Sequence, residues 1–212
     1  MRTSYRDQCG SALAALCAAL IILLVLGPPA GALSADYLVF PNGTAYRASI
    51  QITDTSRYEF ADIGYMGESV PMAVGGINLT ANGAPAAFNH STAWGRPQFI
   101  TFAKGNYTVT YIAPLRDNHL QGVFDKSYHV NVTIPQEFDV RNPLLAGLSA
   151  GANVTRLSDN STLIQWNRSY AFDLRFYDQY REQLMFFFLQ FMGILVVVLV
   201  VIPYLLSLKR TD

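Results

Sequence analysis

Gly147-Leu148-Ser149-Ala150-Gly151 has the G-x-S-x-G spacing of a nucleophile elbow, the strand-to-helix turn that exposes a catalytic serine. That chemistry needs a helix after the turn and an Asp and then a His further downstream. Here the β-like Asn153-Val154-Thr155 follows, and no histidine occurs after His129. The order His129, Asp139, Ser149 is that of a chymotrypsin-type triad, but order is not geometry. Ser149 therefore reads as a loop residue, and an exported hydrolase is only a distant alternative. His90, His119 and His129 form no i, i+4 pair, and both cysteines, Cys9 and Cys17, lie near the N-terminus, so no zinc set is expected. Asp117, Asn118 and Asp125 offer oxygens of the kind Ca²⁺ takes, without the spacing of an EF-hand loop. No catalytic residue, cofactor or metal is assigned.

A different chemistry is strongly marked. Asn42, Asn78, Asn89, Asn106, Asn131, Asn153, Asn160 and Asn167 each begin N-x-[ST] with a non-proline middle residue, the acceptor pattern for N-glycosylation. Eleven Asn and 26 Ser+Thr in 212 residues would give about one such triplet by chance. All eight fall between two hydrophobic segments, and all eight are candidate glycosylation sites.

Those segments decide where the middle resides. Arg2 and Arg6 precede an apolar run, Ala12–Leu26, that ends at Gly27-Pro28-Pro29 and small residues. This is the layout of a signal peptide over residues 1–35, with cuts expected after Ala32 or Ser34. At the other end, Leu184–Leu208 carries no formal charge and exceeds the length needed to span ~30 Å of hydrocarbon. Lys209 and Arg210 follow at once, so the positive-inside bias puts residues 209–212 in the cytoplasm. Gln190, inside the apolar run, is placed to meet either interfacial water or a neighbouring helix.

The exported part, residues 36–176, alternates with period two. Tyr46, Ala48, Ile50 and Ile52 share one face; so do Tyr128, Val130, Val132 and Ile134. The longest run sets Ile164, Trp166, Tyr170, Phe172, Leu174 and Phe176 together, broken at Arg168. Turn chemistry separates the runs at Pro41-Asn42-Gly43, Asn82-Gly83, Lys104-Gly105-Asn106 and Ser158-Asp159-Asn160-Ser161. The expected fold is all-β: an antiparallel, immunoglobulin-like sandwich. Gly105-Asn106-Tyr107-Thr108-Val109 resembles the stretch of such domains in which a tyrosine makes a corner. A juxtamembrane segment, 177–183, is expected to join the domain to the helix.

Residues 36–183 carry 11 Lys+Arg against 13 Asp+Glu, a balance that excludes the basic stripe of a nucleic-acid binder. With no cysteine after Cys17, the exported domain must hold together without disulfides, which points to an archaeal envelope. Gly105–Leu115, Val140–Ser149 and Arg175–Leu184, with the overall layout, resemble uncharacterised archaeal single-pass envelope proteins. That resemblance implies membrane attachment and an exported domain, and no catalytic residue. The function read from the sequence is therefore non-enzymatic. The chain is a cell-membrane glycoprotein whose outer domain binds a partner or ligand, or has a structural role, with the lipid bilayer and an envelope protein as partners. An accessory subunit of a membrane complex is the alternative. External protease on intact cells should digest residues 36–183 and spare a fragment containing Leu184–Leu208; complete protection of the chain would exclude the exported arrangement.

Overall fold

The computed structural model describes residues 33–64, 66–92 and 95–208. The expected signal segment, apart from Leu33–Ala35, and the four-residue tail lie outside them. Thirteen strands and no helix precede the C-terminal helix among the described residues. They are β1 (Leu33–Val39), β2 (Ala45–Ile63), β3 (Ser69–Pro71), β4 (Gly75–Ala81), β5 (Ala84–Pro85), β6 (Asn89–Ser91) and β7 (Gln98–Pro114). Then come β8 (His119–Ile134), β9 (Phe138–Asp139), β10 (Gly147–Leu148), β11 (Ala152–Arg156), β12 (Thr162–Arg175) and β13 (Tyr177–Asp178). The main sheet runs β10-β12-β8-β1-β2-β7-β4-β5, with β11, β3 and β6 added at its edges. β9 and β13 form a separate pair.

Both long ladders fold back on themselves. Ala48 pairs with Tyr111 and Phe60 with Gln98 along the β2–β7 ladder. The twelve residues from Ala48 to Phe60 would span about 40 Å if straight, yet the rings of Phe60 and Tyr111 are 5.1 Å apart. The bend lies at the register shifts between Ile52, Thr55 and Arg57. Asp54 takes a positive φ of 57° there. It is clamped by Lys104 at 3.1 Å, and its N–H donates to Asn106 Oδ1 at 3.0 Å. The β8–β12 ladder does the same between Trp166 and Ala171, with Arg168 at φ 57°. Trp166 and Phe172, on either side of that bend, sit 5.4 Å apart.

This geometry corrects three expectations. Lys104-Gly105-Asn106 is no turn, because β7 passes through the bend as one strand. Tyr107 makes no corner and packs edge-on against Phe102 at 4.9 Å. The sheet is mixed rather than antiparallel, since β1 runs parallel to β8, Leu33 beside Tyr128 and Leu38 beside Thr133. The fold-back of β8 reverses its heading before it reaches β1, which makes that pair parallel. The other turns form as read. Gly43 has φ 66°, and Phe40 N donates across that turn to Ala45 O at 3.0 Å. Asn82 and Gly83 both take positive φ, as a two-residue hairpin turn requires.

Alternation delivers the core. Ala35, Tyr37, Val39, Tyr46, Ala48, Ile50, Val130, Val132, Ile164, Trp166, Phe172, Leu174 and Phe176 are all buried. Tyr170 is the exception, 61% exposed rather than inward. It lies between the two register shifts, where the bulge breaks the parity that carries Trp166 and Phe172 inside. β1 begins at Leu33, so a signal cut after Ala32 would leave it whole, whereas one after Ser34 would remove two of its residues.

The helix follows without an intervening loop, so residues 179–183 of the expected juxtamembrane segment are helical. Phe176 and Tyr177 are buried, and Asp178 caps α1 (Gln179–Val196), its carboxylate accepting from Arg181 N at 2.8 Å. A π-helical segment, Val197–Val201, leads into α2 (Ile202–Leu208). Pro203 lacks an N–H and crowds the carbonyl four residues back, so the widened turn before it is the expected relief. Within the helical stretch Gln179–Leu205 the most apolar 18 residues have a mean hydropathy of 2.9 and none of them is buried, so the helix is long and apolar enough to cross a membrane.

Two substitutions test the bulge. Trp166→Ala should cost ~3–5 kcal/mol in chemical unfolding, as large core truncations do. Tyr170→Ala should stay within about 0.5 kcal/mol of the parent. Equal losses at the two positions would refute the assigned register.

Candidate functional site

The folded-back halves of β2 and β8 approach one another without forming a ladder. Between them lies a slot of about 400 Å³, within the usual range for small-ligand sites. Arg57–Glu59, Ala61–Ile63 and Gln121–Lys126 supply its walls, and Tyr37, Tyr46, Ile50, Ile52, Tyr111 and Tyr128 also line it. Two polar bridges span it. Gln121 Nε2 donates to Ile63 O at 2.6 Å, and Lys126 Nζ donates to Thr53 O and Oγ1 at 3.3 and 3.2 Å.

Five tyrosines gather here from four strands. Tyr46 donates to Met72 Sδ at 3.3 Å and Tyr128 to Gln51 O at 2.7 Å. Tyr58 lies 5.2 Å from Phe60 and 6.4 Å from Tyr111. Burial raises the pKa of all five, because a phenolate would have to leave water. Tyr128 is pushed up to about 12, by burial first and by Asp125 second. The cluster is thus a neutral, amphipathic surface of rings with hydroxyl tips. Around it the charge is acidic. Arg57 is held by Glu59 at 3.1 Å and lies 4.0 Å over the Phe99 ring. Asp62, Glu68 and Asp125 also line it, against the single further cation Lys126.

The sequence-marked residues sit elsewhere. Ser149 is a turn residue; its N–H donates to Asp173 O at 2.9 Å and its Oγ accepts from Asp173 N at 3.1 Å. Asp139 is engaged by Arg141, whose Nε donates to Oδ2 at 2.8 Å, and no hydrogen bond joins His129, Asp139 and Ser149. Strand β11, not a helix, follows Gly151 directly. Asp117 and Asn118 lie in the turn before β8, whereas Asp125 lies at its bend, so these three do not converge. Among the described residues no group of three or more His, Cys, Asp or Glu is placed to hold a metal ion.

Seven of the eight sequon asparagines are exposed. Asn131 points outward, as its register requires, but is half-buried. Its Nδ2 donates to Asp36 at 2.7 Å, and its Oδ1 accepts from Gln165 at 3.0 Å. Asn42 and Asn106 use only Oδ1, toward Thr44 N and Asp54 N. The slot itself was missed in the sequence. Its tyrosines are far apart in the chain, and only the inward parity of Tyr46 and Tyr128 marked any of them.

Fold and helix together define a β-rich domain carried on one helix fit to cross a membrane. Residues 37–211 match the model of a family of unknown function, DUF5803, and the chain belongs to that family. The match spans both the β domain and the helix. No curated protein matches the chain.

Two outcomes follow. Each cluster phenol titrates higher folded than unfolded, so its stabilisation is complete below about pH 10 and is lost at higher pH, for Tyr128 as pH rises through about 12. Unfolding midpoints should therefore fall in that window as phenolate absorbance appears. In native glycopeptides, Asn153, Asn160 and Asn167 should carry glycans while Asn131, whose amide nitrogen is engaged, stays bare; the reverse occupancy would overturn this ranking.

Proposed function

We propose that this chain is a single-pass envelope glycoprotein. An exported β domain of immunoglobulin-like sandwich architecture, made after removal of the signal segment, is held outside an archaeal cell membrane by the C-terminal helix. Through the slot between β2 and β8 it binds a ligand or partner rich in hydroxyl or amine donors. The observation that carries this reading is the helix: it leaves the domain at a capped junction and none of α1 is buried. Such a surface is unfavourable in water and is matched by hydrocarbon. The outward display of seven sequon amides supports exposure to a glycosylating compartment.

A second reading, an accessory subunit of a membrane complex, is favoured by Gln190 and Gly193. They lie on one helix face, and nothing lies within 4 Å of where a Cβ at Gly193 would stand. Small residues admit a neighbouring helix, and an amide in hydrocarbon seeks a partner.

Alkaline-washed membranes should retain the full chain and release a form truncated after Gln183; release of both would remove the anchor. A photo-crosslinking residue at Ala61, on the slot lining, should capture a ligand or partner that one at Arg156 does not. Equal labelling at both positions would remove the slot from the reading.

A further inference from the structure

The turn after β9 is built to meet the same surface that the helix enters. Asn142 ties it down with three groups. Its N–H donates to the Tyr177 hydroxyl at 3.2 Å, its Oδ1 accepts from Leu144 N at 3.1 Å, and its Nδ2 lies 3.8 Å from Met185 Sδ. Asn142 O also accepts from Leu145 N at 3.1 Å and Ala146 N at 2.9 Å, closing one tight turn. Met185 is the second residue of the uncharged run that starts at Leu184. The contact therefore sets the turn level with the first apolar turn of the helix. At its apex are Pro143 and Leu144, both exposed, the leucine 77% so. Pro143 has no N–H to leave unsatisfied in an apolar setting. Behind the apex, Arg141 is chelated by Asp139, which fixes the base of the turn.

We infer that Pro143 and Leu144 seat in the lipid interface as a second contact with the bilayer beside the helix. The inference rests on the membrane-spanning reading of that helix. The occupant is the bilayer because the apex continues, at the same depth, the surface the helix already presents to it. A tight apolar apex reaches the headgroup–acyl boundary, where interfacial apolar groups settle. The turn thereby fixes which side of the domain faces the membrane.

The test uses the full chain in phosphatidylcholine vesicles, with Cys9 and Cys17 replaced by serine. An environment-sensitive fluorophore is attached at Leu144→Cys, at Leu199→Cys in the helix, and at Ala103→Cys beside the β2–β7 bend. The Leu144 label should emit to the blue of the Ala103 label, be quenched by lipids with a shallow spin label, and resist aqueous iodide about threefold better. The Leu199 label should respond to a deep spin label. If Leu199 is deep while Leu144 is quenched by iodide as strongly as Ala103, the interfacial seat is overturned and the anchor stands. If Leu199 responds to iodide instead, the spanning reading fails and this inference falls with it. Near-ultraviolet circular dichroism matching the parent confirms that each labelled chain is folded.

Discussion

The whole β domain depends on two residues held at positive φ. Asp54 and Arg168 sit where the long ladders bend; aspartate enters that conformation more readily than most residues, whereas for arginine it is uncommon. At Asp54 the hold is visible in the ion pair with Lys104 and the backbone bond to Asn106. At Arg168 it comes from the ladder on either side, which pairs Trp166 with Val130 and Ser169 with Tyr128. Without the bends, the halves of β2, β7, β8 and β12 would lie in one open layer with an exposed apolar face. With them, Phe60 reaches Tyr111 and Phe172 reaches Tyr37, and a single core forms. The parallel β1–β8 pair and the slot both descend from the same reversal.

Part of this was legible beforehand, for a physical reason. Period-two burial is local, so Ile50, Val132, Trp166 and Leu174 declared their faces without any knowledge of partners. Arg168 was the one residue to interrupt the longest apolar face, and that interruption is the bend. Tyr170 shows the limit: its parity was right for an unbroken strand, and the bulge cancelled it. Gly105-Asn106 looked like a hairpin end because Gly and Asn serve bends and turns alike. Which strand β1 would choose, and in which direction, depended on a fold-back more than ninety residues away. The slot was invisible for the same reason: Tyr37, Tyr58, Tyr111 and Tyr128 meet only through long-range register.

A domain without cysteines after Cys17 must close its structure by other means. The outer face uses a polar ladder across three strands, Asp36 to Asn131 to Gln165. The inner face uses phenols, which fill volume like phenylalanine while their hydroxyls meet backbone or sulfur acceptors. Among the described residues no buried side-chain nitrogen or oxygen lacks a partner. Gln121 and Lys126 then join β2 and β8 across the slot with side chains, since those two strands share no backbone ladder.

The junction at Phe176–Gln179 has a mechanical consequence. A flexible tether would let the domain swivel independently of its anchor, but here buried Phe176 and Tyr177 run straight into a capped helix. Domain and helix then move as one lever. If the helix spans a bilayer as proposed, its tilt follows the thickness of the surrounding lipid, and the angle of the slot follows that tilt. Bilayer composition would thereby set the direction in which the domain looks.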